Sequence, residues 1–207
     1  MIARLGVPGN LGIWNSTDKA MSSFQKLKTE FDTNWTTILV GWNGLGVFSP
    51  WPNRWVEFPP LLSADEIAGY ADERLASSSD VAEENLIVNL LSLDLRAETR
   101  ETIRNLLTRL SDVSAGDPVL ELRKWRLILL EELLDNMPKD AVYGLMALSE
   151  FWQNFGFPPD SPHEVQGRGN SITPSEYYQA QNLHRLLGRH RAWVLEERAA
   201  LNRQQVS

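Results

Sequence analysis

Leu127-Ile-Leu-Leu130 sets the first limit on what this chain can fold into. At about 100° per residue, four consecutive aliphatic side chains face every direction around a helix axis. Trp125, Leu133 and Leu134 extend the apolar surface along the same segment. A helix that is apolar all round has to be buried. The segment opens with Asp117-Pro118, an N-cap residue followed by proline at the first helical position, so the sequence predicts a helix over 118–136 at the centre of a helical core.

Flanking segments supply layers to cover it. Ser63 with Glu66 is a capping-box pair that opens a helix to about residue 76. Asp80 and Glu83 begin another, with Leu86, Ile87, Leu90 and Leu91 on one face. A third, over 97–111, carries Ile103, Leu106, Leu107 and Leu110, with acids early and arginines late as the helix dipole prefers. Pro138 opens a helix whose face is read as Val142, Leu145, Met146, Trp152 and Phe155, with Gly156 at its C′ position. Thr173-Pro-Ser-Glu176 combines cap, proline and capping-box glutamate and starts a last helix to about residue 202.

The first 62 residues have a different texture. Met21, Phe24, Leu27 and Phe31 repeat at helical spacing within a helix read as 16–34. Thr36-Thr-Ile-Leu-Val40 is β-branched and apolar, and Asn43-Gly44 is a hairpin signal before the run 45–48. Residues 54–58 and 2–7 are further strand candidates. The expectation is therefore a predominantly helical α+β fold: a small N-terminal antiparallel sheet with one helix over 1–62, then a body of about six helices over 63–207.

Composition narrows the functional classes. The 207 residues contain no cysteine, which excludes disulfides, thiol catalysis and cysteine-ligated metals. No run reaches the length of a membrane span and no secretory leader is evident, so a cytoplasmic protein is expected. Net charge is −7, and the window from Glu57 to Glu84 carries eight acids against Arg74 alone. A field of that sign repels nucleic acid and attracts basic partners. Asp65, Glu66, Asp72, Glu73, Glu83 and Glu84 are the candidate partner-binding acids, expected to point outward from two capped helices. Trp51 and Trp55 join them as interface anchors, in a segment rich in tryptophan and proline.

The long connection over 156–172 is the other candidate site. Pro158, Pro159, Pro162, Gly167 and Gly169 exclude helix, and ordered loops of this length are often functional. His163, Gln166, Arg168 and Asn170 are its candidate anchors, with Arg168 and Asn170 pinning it to the adjoining helices and His163 bonding loop backbone. His184 and His190 are six residues apart, do not share a helix face, and are placed on a basic surface. Gly167-Arg-Gly-Asn170 lacks the Gly-Lys-Ser/Thr ending of a phosphate loop, and no Gly-x-Ser-x-Gly occurs. No cofactor or metal site is expected, and no enzyme.

In size, absence of cysteine and the acidic Glu57–Glu84 window, the chain resembles the immunity proteins of bacterial polymorphic and contact-dependent toxin systems. The resemblance implies a cytosolic inhibitor that neutralises a cognate basic toxin such as a nuclease. The alternatives are a hydrolase-type enzyme with its site at the 156–172 loop, and a self-associating adaptor.

Overall fold

The computed structural model describes residues 21–44, 47–49, 54–56 and 60–205, the two short segments by backbone only. Nine helices run through them: α1 (Ser23–Glu30), α2 (Trp35–Asn43), α3 (Ala64–Ser77), α4 (Val81–Leu91), α5 (Arg100–Ser114), α6 (Pro118–Asp135), α7 (Ala141–Asn154), α8 (Pro174–Tyr177) and α9 (Ala180–Gln205). Helix α6 is the hub. Trp125, Leu127, Ile128, Leu129 and Leu130 are all buried, and α1, α2 and α9 pack around it. Helices α2–α5 form the second half of the body, α2 lying against α5 and α4 between α3 and α5.

The expected α+β fold is overturned. Thr36-Thr-Ile-Leu-Val40, read as the leading strand, lies inside α2. An antiparallel ladder of three residues a side, Val47–Ser49 with Arg54–Val56, is the extended pairing among the described residues and does not make that sheet. Strand propensity lost to local capping and tertiary burial. Asn34 caps α2, its side-chain Oδ1 accepting from the Thr37 backbone amide at 3.0 Å while the Thr37 hydroxyl accepts from the Asn34 backbone amide at 3.0 Å. Trp35, Thr36, Thr37 and Ile38 are then buried against α5 and α6. Gly41 permits that closeness, because a Cβ there would sit 2.5 Å from the Trp125 ring. Asn43-Gly44 does not turn a hairpin: Asn43 ends α2 and Gly44, at φ 66°, caps it.

Smaller departures have similar causes. The helix read as 16–34 is α1, which starts after Ser22 and stops at Glu30; residues 1–20, including the strand read at 2–7, lie outside the described residues. Residues 95–98 form a turn closed by the Asp94 carbonyl, and Thr99 then caps α5. The last helix is divided, α8 being one capped turn ahead of α9. Val142 and Met146 are exposed, and α7 instead buries Leu145, Ala147, Leu148, Phe151 and Trp152. No helix among the described residues is long and apolar enough to cross a membrane.

Candidate functional site

The two candidate sites are the acidic α3–α4 face and the loop over 156–172. On the first, Asp65 is exposed and held by Arg96, whose Nη2 lies 2.6 Å from Oδ2. That guanidinium keeps the Asp65 carboxyl below the usual range. Glu66 is spent locally: its Oε2 accepts from the Ser63 amide at 2.8 Å, and its Oε1 accepts from the Ser22 hydroxyl at 2.5 Å. Asp72 and Glu73 are exposed, the latter paired with Lys28 at 2.5 Å. Glu84 is half-buried.

Glu83 is placed differently from its expected outward position. It is 6% exposed and accepts from Trp35 Nε1 at 2.7 Å, Arg74 Nη2 at 2.7 Å and the Ser78 hydroxyl at 2.8 Å. Burial pushes its carboxyl up, but these donors outweigh that and hold it below the ordinary value. It ties α2, α3 and α4 together. Trp51 and the side chain of Trp55 lie outside the described residues.

The loop leaves α7 through a tight reversal. Gly156 and Phe157 both take positive φ, 70° and 49°, with the Phe157 amide donating to the Trp152 carbonyl at 2.8 Å and the Gly156 amide to Gln153 at 2.9 Å. This is a Schellman ending with Gly156 at C′, as the sequence suggested. Farther on, Asn170 closes the loop on itself. Its amide nitrogen donates to the Val165 carbonyl at 2.9 Å and its oxygen accepts from the Gly167 amide at 3.1 Å. Gln166 donates to the Ile172 carbonyl at 3.0 Å, and Arg168 lies over the Phe157 ring at 5.3 Å. Arg168 and Asn170 thus shape the loop from within and do not pin it to the adjoining helices.

The pinning falls to residues that the sequence reading passed over or misplaced. Asp160 accepts from Arg126 of α6 at 2.6 Å, and Arg126 itself lies against the rings of Trp152 and Trp193 and shares Glu197 with Arg123. Glu164 binds Arg185 at 2.6 Å and also Arg189, both on α9, which holds its carboxyl low. His163 Nε2 sits 2.9 Å from the Ser149 hydroxyl of α7 and 3.4 Å from the Tyr177 hydroxyl of α8. It does not bond loop backbone through its ring. His190 is not on the surface but 0% exposed, accepting from Trp152 Nε1 at 2.7 Å, its Nδ1 2.6 Å from the Leu186 carbonyl. That carbonyl can only accept, so Nδ1 carries the proton and Nε2 is the bare acceptor.

The two imidazoles are neighbours, with ring centroids 5.6 Å apart. Burial pushes both down to about 4, and for His163 the charge of His190 adds to the effect. Both rings are therefore neutral at pH 7. The signal that identifies His190 as buried is its helical spacing: Leu183, Leu186, His190, Trp193 and Glu197 form one buried stripe. Arginines on either side of it concealed this. Among the described residues no group of three metal-ligating side chains assembles.

Residues 24–198 match a family described as an uncharacterized protein conserved in bacteria, DUF2247. The chain belongs to that family. No curated protein and no solved structure matches it. The matched span runs from α1 into α9 and includes both the acidic face and the 156–172 loop, so both belong to the DUF2247 portion of the chain.

Proposed function

We propose that this DUF2247 chain is a protein-binding inhibitor of the immunity type, holding a basic protein such as a nuclease toxin against α3 and α4. What supports the reading is the placement of Asp65, Asp72 and Glu73 on the exposed side of a firmly capped helix, with Asp80 and Glu84 alongside on α4 and its cap. Rigid helices keep these charges at fixed spacing. Arg96 and Lys28 offset Asp65 and Glu73. Asp72, Asp80 and Glu84 leave the balance negative, and a field of that sign accelerates encounter with an oppositely charged partner. Buried Glu83 underlies the arrangement by locking α3 to α4. The test is co-expression with the product of the adjacent reading frame. Rescue of growth and a one-to-one complex are expected. A D72K/E73K/E84K variant should slow association by about tenfold or more at low salt. Growth arrest despite expression of the folded chain, or association indifferent to salt and to the triple variant, overturns the reading.

One observation favours a hydrolase-type site at the loop, namely the 2.9 Å approach of Ser149 Oγ to His163 Nε2. Ser149 also donates to the Leu145 carbonyl at 2.9 Å, which fits a structural hydroxyl better than a nucleophile. Labelling by a fluorophosphonate that disappears in Ser149→Ala would establish the second reading; no labelling of wild-type protein would end it.

A further inference from the structure

Between the first turns of α3 and the turn that joins α4 to α5 runs a groove of about 300 Å³. Ala64, Ala68, Leu91 and Leu93 line it, and Asp65, Asp94 and Arg96 complete it. The small alanines leave room for an unbranched aliphatic stem. Arg96 shows what kind of head group suits the rim. Its Nε donates to Asp65 Oδ1 at 3.0 Å, and its Nη2 donates to Oδ1 at 2.8 Å and to Oδ2 at 2.6 Å. Both side chains are largely in water, at 73% and 69% exposure, so the grip is open to exchange.

The neighbouring charges fix the sign of what can enter. A helix N-terminus alone would favour an anion, but Asp65 and Glu66 occupy the first turn of α3 and reverse the local field. Asp94 is exposed and held in place by its own turn, with Oδ1 accepting from the Arg96 amide at 3.2 Å and its carbonyl accepting from Ala97 and Glu98. A guanidinium suits paired carboxylate oxygens better than an ammonium, because its planar fork donates in parallel.

We propose that this groove receives an arginine side chain of a basic protein partner, its stem along Ala64, Ala68 and Leu93 and its guanidinium on Asp65, while Arg96 swings aside. The inference rests on the binding function proposed above and names the chemistry that the partner presents. Arg96 then acts as a stand-in that keeps the site filled until the partner arrives.

NMR titration of the isotope-labelled full chain with N-acetyl-argininamide is the test, with N-acetyl-lysinamide in parallel. Shifts should be confined to amides 64–68 and 91–96, with the lysine compound weaker. Arg96→Ala should bind the arginine probe at least about threefold more tightly than Arg109→Ala, which removes the same charge from an exposed position outside the groove. Asp65→Asn, with an otherwise unchanged spectrum, should abolish the confined shifts. Shifts spread evenly along α3 and α4, or Arg96→Ala no tighter than Arg109→Ala, overturn the proposal. Growth rescue by Asp65→Asn at the wild-type level, alongside loss of rescue in D72K/E73K/E84K, would sink the groove and leave the binding function standing.

Discussion

Two buried polar regions lie on opposite sides of α6, and they are stabilised by opposite means. At the start of α2, Glu121 is 1% exposed and Lys124 3%, and both are ringed by partners. Lys124 Nζ donates to Glu121 Oε1 and to the Asp32 carbonyl, each at 2.8 Å, and the Thr37 hydroxyl donates to Glu121 Oε2 at 2.6 Å. The carboxylate also lies at the N-terminus of a helix, where its charge is favoured. Under the 156–172 loop, His163 and His190 sit side by side as neutral rings. A buried charge survives where several donors and acceptors converge on it, and a buried imidazole with few partners survives by shedding its proton. The first region should therefore fail by mutation, and the second by acid.

Acidification gives the largest expected effect. Each histidine has a folded value of about 4, below the ordinary unfolded value of about 6.5. Between those limits the unfolded chain takes up protons that the folded chain refuses, so the stabilisation is full above pH 6.5 and is lost as pH falls towards 4. The loss is on the order of 3 kcal/mol for each histidine. Glu83 and Glu164, held below the ordinary carboxylate value, lose their contribution only in more acid solution, which leaves the upper part of the window to the histidines. Urea denaturation from pH 7 to 4.5 measures this. His163→Gln should flatten the slope by about half, and a flat wild-type profile would erase the contrast between the two regions.

Lys124→Met comes next, stranding the Glu121 carboxylate at a cost of about 3–5 kcal/mol. Adding Glu121→Gln should recover most of that loss, and urea midpoints at pH 7 decide it. Gly41→Ala drives a methyl into the Trp125 ring and should cost about 1–3 kcal/mol, readable as a lower thermal midpoint. Asn170→Ala unties the loop from within and should cost about 1 kcal/mol, with faster hydrogen exchange at the Gly167 amide. Arg168→Ala removes an exposed stack on Phe157 and should cost about 0.5 kcal/mol; a larger loss would mean that the loop leans on this residue more than its geometry indicates.

The contrast also explains what was legible in the sequence. Helices α3, α4 and α6 announced themselves through caps and period, because Ser63-x-x-Glu66 or Asp117-Pro118 writes a helix start into adjacent residues. Helices α5 and α7 showed their period but start later than expected, at the caps Thr99 and Asp140 rather than at residue 97 and Pro138. The all-apolar run in α6 likewise carried its own burial. Helix α2 did not, since Thr36 to Val40 favours a strand and becomes helical only against α5 and α6. The loop was recognisable from its prolines and glycines, whereas its fastening was not. Asp160, Glu164 and Ser149 meet partners 34, 21 and 14 residues away, and no local pattern records such pairings. Glu83 was misjudged for the same reason: an acid in an acidic run reads as surface until Trp35, 48 residues earlier, is seen to donate to it.

The bond from the Trp152 indole to His190 makes the protein its own optical gauge. A neutral ring accepts that hydrogen bond, whereas a charged ring cannot and would quench the indole beside it. The emission of Trp152, isolated by subtracting the spectrum of a Trp152→Phe variant, should dim as His190 charges, which places a light signal inside the protein at the junction of α7 and α9.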